Sequence, residues 1–292
     1  MRTVNQYQRA GKRSQAAGSE TDSSYAEPFG WWGYHWTPPE QRSLLWLIER
    51  GALDVRLAAF LSLTIEARAS FIVVAEPHEA GKTTLLTALL DFLPANIQPV
   101  YLRGWYERFS FLDTLPPEAA YMLCNEISSH LPTYMWGHGV RRVFEAAAAG
   151  YPLATTMHAT GSADAFDQLA SYPLDVPVEH LATIDLVITI GVGYASNKLL
   201  RRVARVERIT SGADAPAIQT IAVREPLRAD LDYQMGRLIG MLAGLAGSTD
   251  DQAASQLAQR VGTLERWLTA GLAPVPSLRA TIAEARERAT NY

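Results

Sequence analysis

One segment constrains this chain more than any other. Phe71-Ile-Val-Val-Ala75 runs directly into Glu76-Pro77-His78-Glu79-Ala80-Gly81-Lys82-Thr83-Thr84, and then into Leu85, Leu86, Leu89 and Leu90. The opening run is short and unbroken in its apolar character, which reads as a strand buried on both faces. The leucines recur at helical spacing, so a helix is predicted over Lys82 to Phe92. A strand buried on both faces and leading into a helix suits a parallel sheet, whose two faces are covered by helices.

The remaining pattern supplies them. Pro99 to Arg103, Ala119 to Cys124, Leu153 to Met157 and Ile184 to Ile190 read as further strands, with a helix from Val140 to Ala149 closed by Gly150 and Pro152. Strand and helix in alternation predict a mostly parallel sheet with helices on both faces. Leu199 to Ile209 and Ala217 to Arg224 read as strands added at its edge. Upstream, Pro38 and Pro39 are expected to open a helix reaching Arg50 and stopping at Gly51. A second helix, from Val55 to Ala67, sets Leu57, Phe60, Leu61 and Ile65 on one face. The last seventy or so residues read as helical. There Gly236, Gly240 and Gly244 are spaced to let another backbone come close, and Leu257, Val261, Leu264 and Leu268 form a stripe ending at Gly271. A final helix is expected from Pro276-Ser277, with Leu278, Ile282 and Ala285 inward. The division that results is a disordered tail over 1–26, an aromatic segment and leading helices over 27–70, an α/β core over 71–229 and a helical region over 230–292.

Composition narrows the setting. A formal net charge of −4 gives no general pull toward nucleic acid. Cys124 is the only cysteine, so no intrachain disulfide forms, which suits a reducing compartment. The stretch Leu238 to Ala246 is too short to span a bilayer, and the basic start of the chain has no apolar run behind it, so neither a transmembrane helix nor a signal peptide is expected. Phe29-Gly30-Trp31-Trp32-Gly33-Tyr34-His35-Trp36 is dense in aromatics, a plug on the chain's own surface or a docking patch; base stacking on nucleic acid is the third reading, with few basic residues beside the rings to support it.

Chemistry concentrates in the loop after the first strand. The phosphate-binding P-loop pattern is G-x-x-x-x-G-K-[ST] between a strand and a helix, where backbone N–H groups and the helix dipole favour anionic oxygens. Ala80, Gly81, Lys82, Thr83 and Thr84 fit its second half, with Lys82 placed for the β- and γ-phosphates and the Thr83 hydroxyl for Mg²⁺. Glu76 replaces the first glycine and Glu79 adds a second carboxylate; a Cβ where the loop wants positive φ adds strain. Further on, the strand Ala119-Ala-Tyr-Met-Leu-Cys124 runs into Asn125-Glu126-Ile127, and Leu153-Ala-Thr-Thr-Met157 into His158-Ala159-Thr160. A carboxylate at a strand tip orients an attacking water or binds Mg²⁺ through water. If the His158 strand lies between the other two, His158 stands beside the γ-phosphate. The alternatives are that Glu126 caps a turn and that His158 bonds a loop.

In these pieces, from Trp36 to the C-terminus, the chain resembles the motor domain of the type II/type IV secretion and pilus-assembly ATPases, in particular the conjugation and tight-adherence branch. Cys124-Asn125-Glu126-Ile127-Ser128 stands where that family has an apolar strand and Gly-Glu-Ile-Arg, and Thr156-Met157-His158-Ala159 matches its Thr-x-His-Ala. Leu45-Trp-Leu-Ile-Glu-Arg-Gly51, Ala58-Ala-Phe-Leu61, Arg201-Arg202-Val203 and the span from Thr263 to Arg288 resemble its flanking helices and later strand.

The resemblance implies a RecA-like P-loop NTPase fold with a C-terminal helical bundle, ATP with Mg²⁺, Glu126 and His158 as catalytic residues, and a hexameric ring. It also implies a cytoplasmic motor, peripheral at the inner face of the membrane, acting on a membrane-embedded pilus or secretion platform without inserting itself. In place of the family's separate N-terminal domain stand a short tail and the aromatic cluster, and Ser128 replaces an arginine. No acidic box is evident after the second strand, which leaves Glu107; Arg103, Arg108, Arg141 and Arg142 are candidates for acting in trans. Two alternatives remain: a degenerate relative that binds nucleotide weakly or not at all, and an unrelated P-loop protein acting on DNA.

Overall fold

In the computed structural model, which describes residues 23–28, 42–212 and 215–290, one eight-stranded sheet organises the chain. In sequence its strands are β1 (Phe71–Val74), β2 (Gln98–Tyr101), β3 (Ala120–Ile127), β4 (Leu153–Met157), β5 (Leu186–Ala195), β6 (Lys198–Thr210), β7 (Ala217–Val223) and β8 (Asp232–Tyr233). In space the order is β2-β3-β4-β1-β5-β6-β7-β8. Pairings from β2 across to β5 are parallel, and those from β5 to β8 antiparallel. In the parallel half β1 runs through a loop into α3, and the antiparallel half is hairpins laid on beside it.

The helices are α1 (Leu44–Glu49), α2 (Val55–Glu66), α3 (Lys82–Leu90), α4 (His138–Ala148), α5 (Ser162–Ala170), α6 (Val178–Leu181), α7 (Met235–Ala246), α8 (Asp250–Thr269) and α9 (Val275–Thr290). Strand alternation divides them between two faces. Phe71, Val73, Tyr121, Leu123, Leu186 and Ile188 point into a layer shared with α1, α2, α3 and α7 to α9. Their neighbours Ile72, Val74, Met122, Cys124 and Val187 point into the opposite layer, with α4, α5 and α6. Burial on both faces explains why these strands read as continuous apolar runs rather than alternating ones.

Several boundaries differ from the sequence reading. The first helix starts at Leu44, capped by the Ser43 side chain, which accepts from the Trp46 N–H at 3.1 Å and donates to the Ala273 carbonyl. Such a cap stabilises a helix by ~1 kcal/mol; Pro38 and Pro39, expected to open it, lie outside the described residues. The tail is ordered at its end, where Ser23–Ala26 forms a 3-10 turn and Tyr25 is buried. Its ring packs edge-on against Phe111 and its hydroxyl donates to Glu107 Oε1 at 2.5 Å. The ring is thus buried with its hydroxyl satisfied, the arrangement a tyrosine favours. The aromatic cluster 29–36 lies outside the described residues. In the C-terminal stretch, β8 is a strand within the region expected to be helical, because Tyr233 and Asp232 pair with β7. A Cβ built on Gly236, Gly240 or Gly244 meets nothing within 4 Å, so among the described residues no backbone closes on that stripe. Ala285, expected inward, is exposed, whereas Leu278 and Ile282 are buried.

Candidate active site

The loop after β1 sets the site's floor. Glu76 to Glu79 are exposed and Ala80 is buried. Gly81, at φ +98°, is the N-cap of α3 and offers no side chain to its first N–H groups. Those N–H groups are left for an outside acceptor at the positive end of the helix dipole. A Cβ at Gly81 would meet nothing within 4 Å, so glycine is required there by backbone conformation rather than space. The strain expected at Glu76 falls instead on Glu79, at φ +57°; a left-handed residue with a Cβ costs ~1–2 kcal/mol.

A bulge aims the acidic residue. In the β3–β4 pairing Cys124 stands opposite Thr155 but Ile127 opposite Met157, so β3 holds one residue more than β4 between those points. Without that residue Glu126 would share the face of Met122 and Cys124, away from α3. With it, Ile127 takes that face and Glu126 turns to the side of α3, a standard effect of bulges. Among the described residues Glu126 offers its carboxylate to Lys82 and His158 rather than to a turn N–H. Its carbonyl accepts from Met135 N–H at 2.9 Å and the Ser128 N–H bonds Met135 O at 3.0 Å, which folds the loop after β3 back over the strand end.

β4 lies between β1 and β3, and Lys82, Glu126 and His158 converge across the three strand ends. Lys82 Nζ donates to His158 Nε2 at 3.1 Å and stands 3.8 Å from Glu126 Oε2; His158 Nε2 is 3.5 Å from Glu126 Oε1. On its other side His158 Nδ1 donates to the Glu76 carbonyl at 3.0 Å. A carbonyl only accepts, so the proton sits on Nδ1 and Nε2 presents a lone pair to the Lys82 ammonium. The loop bond expected as an alternative role for His158 thus coexists with its place in the site. Burial lowers the His158 pKa below its ordinary value, in keeping with a neutral ring beside a cation. Lys82 is only 5% exposed, and burial lowers its pKa as well, opposed by the Glu126 carboxylate. The loop carrying His158 is pinned from α5: Asp164 accepts from Thr160 N–H at 2.7 Å and Gln168 Nε2 donates to the His158 carbonyl at 3.1 Å.

Together these groups line an open cleft of about 670 Å³ that also takes in Ala80, Gly81, Thr83 and Thr84. Sequence reasoning missed four of its walls: His78 from the loop itself, and His130, Leu131 and Tyr134 from the segment after β3. The rings of His78 and His158 lie 4.3 Å apart, His78 and His130 5.8 Å, and His130 and His158 6.3 Å. Glu107 is not part of this wall. Its oxygens accept from the Tyr25 hydroxyl and from the Arg103 and Phe109 N–H groups, a scaffold for the loop after β2. Of the arginines considered, Arg142 lies over the Phe109 ring and Arg141 pairs with Glu145, neither in the cleft.

No protein-family model matches the chain. It is 26% identical over 186 residues to an uncharacterized protein, MJ0900, of Methanocaldococcus jannaschii, a match covering 57% of this chain and 33% of that protein. The chain thus spans about a third of that relative's length. Among solved structures it is similar to the VirB11 ATPase of the Brucella suis type IV secretion system in complex with sulphate, with a TM-score of 0.37 and 20% identity, over 68% of this chain and 64% of that one. It is similar also to the Legionella pneumophila ATPase DotB, with a TM-score of 0.33 and 16% identity, over 76% of this chain and 63% of that one.

Proposed function

We propose that the chain is an ATP-hydrolysing motor domain, RecA-like with helices at its C-terminal end, that powers pilus assembly or secretion of protein or DNA. The observation that carries the proposal is the convergence of Lys82, Glu126 and His158 at the carboxyl ends of three adjacent parallel strands, over a helix whose N-terminus has no side-chain cap. Phosphate oxygens suit that place, since the free N–H groups and Lys82 are its donors. Lys82 would exchange part of its contact with His158 and Glu126 for the β- and γ-phosphates. Glu126, a carboxylate at the cleft wall, would orient the attacking water and take its proton. His158, with its proton committed to the Glu76 carbonyl, holds the Lys82 ammonium in position.

Mg²⁺ fits the residues present in one respect: the Thr83 hydroxyl lines the cleft on the first turn of α3. Among the described residues no group of His, Cys, Asp or Glu is arranged to hold a metal ion unaided, as suits an ion held mainly by phosphate oxygens and water. When bound, the ion neutralises charge on the phosphates.

Assembly into a hexameric ring, a cytoplasmic position at the inner face of the membrane and work on a membrane-embedded platform are supported by the motif resemblance. No described helix is long and apolar enough to cross a membrane. A second reading, a subunit that binds nucleotide weakly and does not turn it over, is favoured by two features. These are Glu79 in the loop at φ +57° and Lys82 already engaged by Glu126 and His158. Phosphate release from MgATP by the wild type and by Lys82→Ala, across a range of protein concentrations, decides between them. Turnover that rises with concentration and vanishes in the variant supports the motor; a wild type that binds ATP but releases no phosphate overturns it.

A further inference from the structure

The cleft's charge does not by itself suit a terminal phosphate. Lys82 is the one Lys or Arg among its lining residues, while Glu79 and Glu126 both line it. The backbone N–H groups at the start of α3 lie on the floor, and the Lys82 ammonium is shared with Glu126 and His158. With Lys82 as its one basic side chain, the cleft calls for further side-chain donors to the remaining oxygens of a terminal phosphoryl group.

Two further imidazoles line the cleft beside His158. His78 rises from the loop after β1 and His130 from the loop folded back over β3, their rings 5.8 Å apart and tilted by 47°. Both adjoin the His158 ring, at 4.3 and 6.3 Å, and His158 contacts Lys82 directly. Both are exposed, and among the described residues neither ring makes a hydrogen bond. A neutral imidazole carries one N–H donor and a protonated one carries two. Apolar packing does not account for two exposed polar rings gathered beside His158 in the cleft.

We propose that His78 and His130 form a subsite for the terminal phosphoryl group of a nucleoside triphosphate, and so make the cleft select triphosphate over diphosphate. This rests on the cleft being the nucleotide site proposed above. His130 belongs to the loop after β3, which is fastened at Met135 to the backbone of Glu126 and Ser128.

The test is calorimetric titration at pH 8 of a non-hydrolysable ATP analogue and of ADP, each with Mg²⁺. The proteins are wild type, His78→Ala, His130→Ala, the double variant and His130→Gln. Each alanine substitution should weaken the triphosphate roughly tenfold, the scale of a hydrogen bond to a charged group, and leave ADP within about twofold. His130→Gln, which keeps an N–H donor, should recover most of that loss. Equal weakening of both ligands, or no change in either while wild type binds, overturns the subsite and leaves the nucleotide site standing. A wild type that binds neither ligand at millimolar concentration overturns both.

Discussion

Glu126→Gln should separate nucleotide binding from turnover. The carboxylate lies 3.8 Å from the Lys82 ammonium, and the two side chains are 11% and 6% exposed, so solvent screens the pair little. At an effective dielectric constant of about 20, unit charges at that spacing attract by ~4 kcal/mol before desolvation is set against it. Glutamine keeps the shape and removes the charge. The ammonium is then held less tightly, and one negative charge facing the phosphates disappears, so both effects favour a polyanion. Affinity for a non-hydrolysable ATP analogue with Mg²⁺ should stay level or tighten by up to about tenfold, since much of the attraction is already offset by desolvation. Steady-state phosphate release should fall by ~10²-fold or more, the scale of a lost general base. Calorimetry gives the first quantity and a coupled phosphate assay the second. Unchanged turnover would show that the water is oriented by another group. Affinity weakened beyond about tenfold would show that the carboxylate holds the site together rather than opposing the phosphates.

Glu79→Gly should relieve a left-handed backbone and remove a carboxylate from the cleft, raising stability by ~1 kcal/mol in urea denaturation and tightening ATP; unchanged values for both would contradict the strained loop. Gly104→Ala should destabilise by ~2 kcal/mol or more. Gly104 sits at φ +59°, and a Cβ there would strike the Pro132 carbonyl oxygen and come within 2.5 Å of the Thr133 carbonyl carbon. A melting temperature equal to wild type would refute that packing. Burial pushes the Cys124 thiol from 9.0 up to about 12, and burial with the hydrogen bond to Glu107 pushes the Tyr25 hydroxyl from 10.0 up to about 12. Folding favours both protonated forms, so their contribution is full below about pH 9 and is lost as pH climbs toward 12. Thermal melts from pH 8 to 11 should show the decline, shallower in Cys124→Ala, and native Cys124 should resist thiol reagents at pH 8 until the protein unfolds.

The order of elements was open to the sequence because it depends on local patterns. Apolar runs such as Phe71 to Val74 and Leu153 to Met157 carry strand identity in themselves, and Gly81-Lys82-Thr83, set between an apolar run and a helical leucine pattern, reads as a strand-to-helix turn. Glu126 and His158 were legible as candidates for the same reason, each following an apolar strand. Their meeting could be read only conditionally, from a strand order that the spacing does not supply. It depends on β4 lying between β1 and β3, and on one extra residue in β3 that turns Glu126 to the face of α3. Neither strand order nor a bulge leaves a mark in the spacing of a single strand. His78 and His130 escaped notice because 52 positions separate them and only the loop folded back at Met135 joins them. Tyr25 and Glu107, read as tail and candidate catalyst, proved to be one hydrogen-bonded support. Periodicity records which face of its own element a residue takes; which other element that face meets is decided by long-range packing, and the site exists only there.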